Sequence, residues 1–320
     1  MDSPAAKNRL FILTAQPNPT ETFLDRDIAQ QFNDYHDKTI IYLNSVIKKQ
    51  PFFSRLFPSL LHKLAARTII RNHSIGKRDT ILAYWANYVL DVAFNISKIA
   101  QAKLQVSCHA NDVFCRSYLA KIDPLYIDRY YFCCKKTMEW AIENYALRKG
   151  KVEYAAHNLP KLPEWAKPVV KHFNIVNIAR NSPKKNLKGV LSCLCYLEPY
   201  FSNMTFTQIG LHDLKGFILP EGNFRIDVKE SMPFEEICDK MLNSHLMIYG
   251  SCIAKDGDRD GLPNVLREAG AMGLPVVYER GWANDEIEYK GPSLAVNCLR
   301  KEKEKILEWI LRLYPEFEKK

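Results

Sequence analysis

The segment DGDRDGLPNVLREAGAMGLPVV holds the residues of this chain most able to do chemistry. Three aspartates stand at alternate positions, as at the start of a calcium-binding loop: Asp256, Asp258 and Asp260. Such a loop needs a bidentate glutamate at its twelfth position, but this chain has Arg267 there and Glu268 one residue too far. The eighth position is a proline, which has no N–H to donate. We therefore expect no metal site here.

The rest of the segment has the pattern of a helix. Apolar residues recur at helical spacing at Val265, Leu266, Ala269 and Met272. Pro263 fits a first turn, Gly273 can close the C-terminus in a left-handed conformation, and Pro275 prevents continuation. The apolar stripe should face a core, which leaves Glu268 on another face, mid-helix and semi-exposed.

The loop before this helix is a candidate ligand site. It follows an apolar strand pattern, and α/β proteins bind ligands at the carboxyl ends of their strands. Free N–H groups at the start of a helix attract a phosphate. Asp260, in the same loop, is better suited to sugar hydroxyls than to an anion. The combination predicts a ligand that carries both groups, such as a nucleotide sugar.

The elements that must position this loop alternate along the chain. The strand patterns are Arg9–Thr14, Lys38–Leu43, Thr80–Trp85, Leu104–Asp112, Lys151–Asn158, Phe173–Ala179, Thr205–Gly210, Asn223–Val228, His245–Ser251 and Leu274–Glu279. Helical patterns stand between them, at Thr20–Tyr35, Tyr88–Lys103, Lys135–Leu147, Leu187–Phe201 and Pro233–Ser244. This alternation predicts an α/β protein with two tandem doubly wound, Rossmann-like domains.

A proline-rich stretch, Asn158–Pro168, marks the boundary between the two halves. We predict an N-terminal domain over residues 1–165, a C-terminal domain over 166–300, and a last helix within 301–320 that packs back on the N-terminal domain. The composition, with 47% hydrophobic and 25% charged residues among 320, is that of a globular protein. Nine cysteines without paired spacing indicate a reducing compartment.

No apolar run approaches the roughly 20 residues of a spanning helix, and the N-terminus lacks a signal-peptide pattern. We expect a cytoplasmic protein, either free or attached to the cytoplasmic face of a membrane. From Lys38 to Arg78 the chain carries nine Lys or Arg and no Asp or Glu, which equals its net charge of +9. Phenylalanines and leucines interleave with these cations over residues 48–71.

This basic segment suits the surface of an anionic membrane, and it suits equally well a core helix with a solvated basic face. Its apolar residues are bulkier than phosphate contacts need, so we expect no nucleic-acid partner.

Several segments together resemble a known family. Asp260 and Glu268 are separated by seven residues, with Gly-Leu-Pro after the first and EAGAMGLPVV around the second. This pattern resembles the donor-site signature of the retaining glycosyltransferases of family 4, which have the GT-B fold. NIARNSPKKN and CHANDVF are similar to further elements of that family, and PNPTETFLDRDI is similar to members that build bacterial surface polysaccharides. The resemblance implies a GT-B enzyme with its donor cleft between two Rossmann-like domains.

The resemblance also implies roles for residues. Arg180 and Lys185 would grip the donor diphosphate, so that no essential metal or other cofactor is expected. His109 would face the transferred sugar, with Asp112 nearby toward the acceptor. Donor-binding residues would be Asp260, Gly261, Leu262, Pro263, Asn264 and Glu268. The expected activity is transfer of a hexosyl group from a nucleotide sugar to a glycan or lipid-linked acceptor.

The chain departs from the family pattern at three of these places. Asp260 stands where glutamate is usual, and Ala179 and Asn186 replace glycines beside the Arg-Lys element. Two other hypotheses therefore stay open: a GT-B nucleotide-sugar epimerase, and a catalytically weak protein that binds nucleotide sugars or glycans. His157 and Asp258 are predicted to be ordinary packing or surface residues.

Overall fold

The protein forms two compact units, Met1–Asn158 and Leu159–Lys320. The structure, a computed structural model, describes residues 9–15, 31–32, 35, 37–50, 57–115, 117–219 and 224–319. The second unit begins seven residues before the predicted domain start at 166 because Trp165 is anchored there. Its backbone N–H donates to the Met272 carbonyl at 2.8 Å, and its indole N–H donates to the Ser244 carbonyl at 2.9 Å.

The first unit contains a parallel sheet. Its described strands are β1 Arg9–Thr14, β2 Asp37–Tyr42, β3 Thr80–Ala83, β4 Lys103–Cys108, β5 Arg129–Phe132 and β6 Val152–Tyr154. They are ordered β2-β1-β3-β4-β5-β6. The described helices are α1 Leu43–Ile47, α2 Pro58–His73, α3 Tyr88–Ala100, α4 Ala110–Phe114 and α5 Lys135–Asn144. Residues 10–13 of strand β1 are all apolar because their side chains enter a core cluster on each face of the sheet.

The second unit repeats this architecture. Its described strands are β7 Phe173–Ile178, β8 Met204–Ile209, β9 Phe224–Lys229, β10 Leu246–Tyr249, β11 Val276–Glu279 and β12 Ser293–Val296. Its helices are α6 Leu187–Leu197, α7 Phe234–Leu242, α8 Asn264–Met272 and α9 Lys303–Leu313. The order β12-β11-β10-β7-β8-β9 is that of a Rossmann sheet. The chain leaves β7 toward β8 on one side and later returns to β10 on the other, so the order reverses between β7 and β10.

The predicted alternation of strands and helices is confirmed at most positions, but strands β5 and β12 and the five-residue helices α1 and α4 were not predicted. Strands β5 and β12 have only four residues each, RYYF and SLAV. Apart from residues 31, 32 and 35, the helix predicted over Thr20–Tyr35 lies outside the described residues.

The C-terminal helix α9 packs in the second unit, which corrects the prediction that it packs on the N-terminal domain. Ile306, Leu307 and Ile310 are buried in the same core cluster as Leu194 of α6. Tyr314, just after the helix, donates its hydroxyl to the His245 carbonyl at 2.6 Å. The apolar stripe that suggested a crossing helix is thus fully used by the core of its own unit.

Residues 58–71 of the basic segment lie in helix α2, and its residues 51–56 lie outside the described part of the chain. Ala65, Ala66 and Ile69 of α2 are buried in the first core. The opposite face is exposed and carries Lys63, Arg67 and Arg71. Near the start of the helix, Phe57 is 60% exposed and Leu60 37%. Among the described helices, none has both the length and the apolar character needed to cross a bilayer.

Candidate functional site

A cluster of buried charges lies at the carboxyl edge of the second sheet, where the strand order reverses. Lys185 ends a short 3₁₀ turn that follows β7, and Asp260 lies in the loop that follows β10. The Lys185 Nζ donates to the Asp260 carboxylate at 2.8 Å and to the Tyr249 hydroxyl at 2.5 Å. Tyr249, the last residue of β10, donates its hydroxyl to the same Asp260 oxygen at 2.9 Å. Two residues predicted from separate motifs are therefore direct partners.

Burial and pairing set the ionisation of this cluster. Burial lowers the pKa of Lys185, and Asp260 opposes that effect, while Lys184 and Arg180 lower it further. Burial raises the pKa of Asp260 most, but the charges of Lys185 and Lys184 and the hydrogen bonds from Lys185 and Tyr249 together hold it below its usual range. Asp260 is thus an anion that fixes the Lys185 ammonium.

A second lysine and a second aspartate extend the cluster. The Lys184 Nζ donates to Asp258 at 3.0 Å and lies 3.6 Å from the other Asp260 oxygen. The prediction that Asp258 is an ordinary surface residue is wrong: only 15% of its side chain is exposed, and it is ion-paired with Lys184. Asp256 is exposed, and its carboxylate accepts a hydrogen bond from the Asp258 backbone N–H at 3.1 Å.

The two loops that carry these charges touch through their backbones at Gly250. A Cβ atom at that position would stand 2.6 Å from the Lys185 carbonyl oxygen and 2.9 Å from that of Asn186. The Cys252 N–H, two residues later, donates to the Lys184 carbonyl at 2.8 Å. A glycine immediately after β10 is therefore required for the lysines to reach the aspartates.

A buried glutamate that the sequence analysis missed supports both loops. Glu279, the last residue of β11, is 3% exposed. Its oxygens accept from the Asn186 side-chain amide at 2.7 and 2.9 Å, from the Ser251 N–H at 3.0 Å and from the Leu299 N–H at 3.0 Å. Asn186 has a left-handed backbone and caps helix α6 by accepting from the Gly189 N–H. Where the family pattern has glycine, this chain thus has an asparagine that ties α6 to β11.

Helix α8 follows the aspartate loop as predicted, ending at Gly273 in a left-handed conformation. Gly261, Leu262 and Pro263 connect Asp260 to its first residue, Asn264, whose side chain accepts from Arg267 at 3.3 Å. Glu268 is 8% exposed, which corrects the expectation of a semi-exposed position. It lies near Cys238 of helix α7, and its charge helps to raise the pKa of that thiol.

Arg180 lies two residues after β7 and is exposed. Its charge reaches Lys185, whose pKa it helps to lower. The described part of the chain shows Arg180 in no ion pair, whereas both lysines of the cluster are paired with aspartates. The predicted arginine and lysine therefore lie at the same edge, and the arginine carries the excess positive charge there.

The carboxyl edge of the first sheet holds a different group, made of buried rings. His109 directly follows β4 and is 7% exposed. Its ring centroid lies 4.1 Å from that of Trp85 and 5.2 Å from those of Tyr84 and His157; the two histidine rings are stacked within 13°. Burial, together with the nearby His157, lowers the pKa of His109 well below its usual value. His109 is therefore a neutral imidazole at pH 7.

Asp112 is buried beneath this group and braces it. One carboxylate oxygen accepts from the His109 N–H at 2.9 Å, and the other accepts from the Ala86 N–H. Only 1% of the residue is exposed, and burial raises its pKa to about 7. The expectation that Asp112 points toward an acceptor is corrected: the carboxylate holds the loops after β3 and β4 together.

Solved structures share this architecture along nearly the whole chain. The Anabaena protein Alr3699/HepE, solved in complex with UDP-glucose, matches with a TM-score of 0.64 at 14% identity over 97% of this chain and 91% of that protein. The lipopolysaccharide outer core galactosyltransferase WaaB matches with a TM-score of 0.63 at 13% identity over 97% and 91% of the two chains. The fold is GT-B.

Two further proteins resemble this chain, one in its fold and one in part of its sequence. A candidate UDP-N-acetylglucosamine 2-epimerase from Listeria monocytogenes shares the GT-B fold, with a TM-score of 0.58 at 13% identity over 97% of this chain and 88% of that protein. In sequence, 110 residues are 32% identical to the amylovoran biosynthesis glycosyltransferase AmsK of Erwinia amylovora, covering 33% of this chain and 27% of that protein. The chain thus matches about a quarter of the length of this relative. No family model matches the chain.

Proposed function

We propose that this protein is a retaining glycosyltransferase of family 4 type, which moves a hexosyl group from a nucleotide sugar to a glycan or lipid-linked acceptor in surface-polysaccharide or glycoconjugate synthesis. The observation that carries the proposal is the ion-paired cluster of Lys185 and Asp260 at the switch point of a Rossmann sheet. The sequence similarity to AmsK and the GT-B neighbour with bound UDP-glucose support the same activity class.

The cluster is suited to a diphosphate leaving group. Lys185 is held by two fixed partners, so its charge is in place before any ligand arrives and needs no reorganisation during reaction. Arg180 adds a guanidinium that can bind phosphate through two parallel hydrogen bonds. These two cations would stabilise the charge that develops as the glycosidic bond breaks, and we expect the reaction to need no metal.

Asp260 would serve both the lysine and the sugar. One of its oxygens is occupied by Lys185 and Tyr249. The other lies 3.6 Å from Lys184, beyond hydrogen-bond distance, so it keeps the capacity to accept from a sugar hydroxyl. Glu268, from the next helix, would accept from the ribose of the donor, and the segment Gly261–Asn264 would line the donor between them.

His109 would contact the transferred sugar from the first unit. A neutral imidazole donates from one nitrogen and accepts at the other, which suits hydroxyl groups better than phosphate. Its half-buried neighbour Trp85 offers apolar surface of the kind that packs on a sugar ring, whereas Tyr84 is buried. Asp112 would act as a positioning residue for His109 rather than as a catalytic one.

The exposed face of α2 would attach the protein to the cytoplasmic face of an anionic membrane. Lys63, Arg67 and Arg71 lie on that face, beside the exposed Phe57. Reversing the charge at Arg67 and Arg71 should weaken binding to anionic liposomes about tenfold or more, since each basic residue near such a surface contributes about 1 kcal/mol. Lys77→Glu with Arg78→Glu, exposed and outside α2, is the matched control. Equal binding by both double variants would refute this attachment.

Turnover of a panel of UDP-, GDP- and ADP-sugars, with and without EDTA, tests the activity. We expect one donor to be consumed, with transfer to an added glycan or lipid-linked acceptor and retention of the anomeric configuration. Consumption without any acceptor, giving an isomerised nucleotide sugar, would favour the epimerase whose fold neighbour is known. Binding without consumption would favour a nucleotide-sugar-binding protein, and neither binding nor consumption would refute all three.

A further inference from the structure

A groove of about 630 Å³ in the second unit is lined by residues that the ion-paired cluster does not use. It is bounded by helix α6, by residues 216–218 after β8, and by residues 300–303 at the start of α9. Small-molecule sites in proteins usually measure about 300–1,000 Å³. The groove therefore has the size of a ligand site.

The charged residues that line the groove are all cations: Lys188, Arg300 and Lys303. Among the described residues, no ion pair contains any of the three. One acidic side chain touches the lining, since Glu304 hydrogen bonds with Tyr196. A concave surface lined by one sign of charge concentrates ligands of the opposite sign, so the groove selects an anion.

The remaining wall is largely apolar. Tyr196, Phe217 and Ile218 line it, and Ile218 is 86% exposed. The Lys303 Nζ stands 5.7 Å from the centre of the Tyr196 ring, so charge and aromatic surface lie side by side. An inorganic anion would leave Phe217 and Ile218 uncovered, whereas a ligand with a ring or a chain would bury them at about 25 cal/mol per Å².

We propose that this groove binds a small organic phosphate, with its phosphate held by Arg300, Lys303 and Lys188 and its apolar group covering Phe217 and Ile218. Three cations, one of them a guanidinium, match the dianionic charge and bidentate geometry of a phosphate monoester better than a single carboxylate. This site is additional to the proposed donor site and shares none of its residues.

Isothermal titration of the full chain with phenyl phosphate, geranyl phosphate and inorganic phosphate tests the proposal and distinguishes a ring from an isoprenoid chain. We expect one ester to bind at least tenfold more tightly than inorganic phosphate. Arg300→Glu should weaken that ester at least tenfold. Lys301→Glu makes the same change of charge at the next residue, which is exposed and outside the lining, and should alter the affinity less than twofold.

Ile218→Ser provides a second variant at an exposed position, where the fold is not at risk. It should reduce the affinity for the ester while leaving inorganic phosphate unchanged. Equal weakening by Arg300→Glu and Lys301→Glu, no preference for esters, or no binding would each overturn the proposal. Nucleotide-sugar turnover measured on Arg300→Glu should stay within twofold of wild type. Loss of phosphate-ester binding therefore tests the groove, and loss of turnover tests the proposed donor site, independently of each other.

Discussion

The carboxyl edges of the two sheets occupy corresponding places in two similar units, yet their chemistry is opposite. The edge of the first sheet buries rings around His109, and burial keeps its imidazole neutral. The edge of the second sheet buries charges, and pairing with Lys185 keeps Asp260 ionised. A parallel α/β sheet therefore fixes where a site forms, while the residues at the strand ends decide whether it suits hydroxyls or phosphates.

This contrast also shows how each edge is supported. Asp112 in the first unit and Glu279 in the second are buried carboxylates that accept backbone N–H groups from neighbouring loops. Among the described residues, Asp112 accepts only from backbone groups, and burial raises its pKa to about 7. Glu279 also accepts from Asn186, and through it holds the loop that carries both lysines.

Removing Lys185 should produce the largest effect. In Lys185→Ala, donor turnover should fall about 100-fold, as expected when one preorganised charge partner of a leaving group is lost. The free energy of unfolding should fall by about 2 kcal/mol, which is less than the usual 3–5 kcal/mol for a broken buried ion pair. The loss is smaller because Tyr249 still donates a hydrogen bond to Asp260 and the Lys184 ammonium still lies 3.6 Å from it.

Steady-state turnover and urea unfolding measure these two losses. Lys184→Ala is the neighbouring control: it keeps the pair of Lys185 and Asp260 and should reduce turnover less than tenfold. Near-normal turnover in Lys185→Ala would show that the charges of the second edge serve the fold alone.

Glu279→Gln should have the next largest effect. The amide replaces a carboxylate that accepts four hydrogen bonds, and hydrogen bonds to a charged group are worth about 1.5–3 kcal/mol each. We expect a loss of about 2 kcal/mol in the free energy of unfolding, with a raised KM for the donor. Glu288→Gln, an exposed glutamate of the same unit, is the control and should change neither quantity.

Acidification should act on the edge of the first sheet through two groups with opposite effects on stability. His109 has a lowered pKa, so the unfolded chain takes up its proton first and stability falls as the pH drops below about 6.5. Asp112, with a pKa of about 7 against 3.8, acts in the opposite direction and adds stability as the pH falls from about 7 to 4. Among the described residues, the titratable rings against His109 are those of His157 and Tyr84.

In His109→Gln the first of these effects disappears. The difference in free energy of unfolding between wild type and variant should change by up to about 1.4 kcal/mol per pH unit below pH 6.5. Denaturant titrations at several pH values measure this difference, and Asp112→Asn should shift it with the opposite sign. Parallel stability curves for wild type and His109→Gln would contradict a neutral, buried His109.

The smallest effect is expected from His157→Phe, which keeps a stacked ring and removes a titratable one. His157 adds only the second contribution to the lowered pKa of His109, after burial. The His109 pKa should therefore rise only slightly and stay well below its ordinary value, which NMR titration of the imidazole can follow. A larger rise would mean that the histidine pair, rather than burial, controls the first edge.

The sequence predicts the fold well because long apolar runs determine the strands. It misses β5 and β12, which are short and mixed in character, and it misplaces α9 because an amphipathic stripe does not say which core it enters. Among the site residues, the positions of Lys185 and Asp260 follow from their places after strands. Their pairing does not, since it depends on which strands are neighbours.

The supporting residues left weaker signals. Glu279 is the first charged residue after the apolar run LPVVY. Tyr249, which carries a hydroxyl, is the last residue of the run HLMIY. A polar group at a strand's carboxyl end is the pattern that could have indicated both. The burial of Asp112 and Glu268 could not be predicted, because a strand or helix pattern does not reveal how closely the surrounding loops pack.

A crystal structure with a soaked nucleotide sugar tests the central claim most directly. We predict that the donor diphosphate lies at the edge of the second sheet, with a phosphate oxygen about 2.7–2.9 Å from the Lys185 Nζ. A diphosphate bound away from Lys185, or one held at the edge of the first sheet beside His109, would contradict the account.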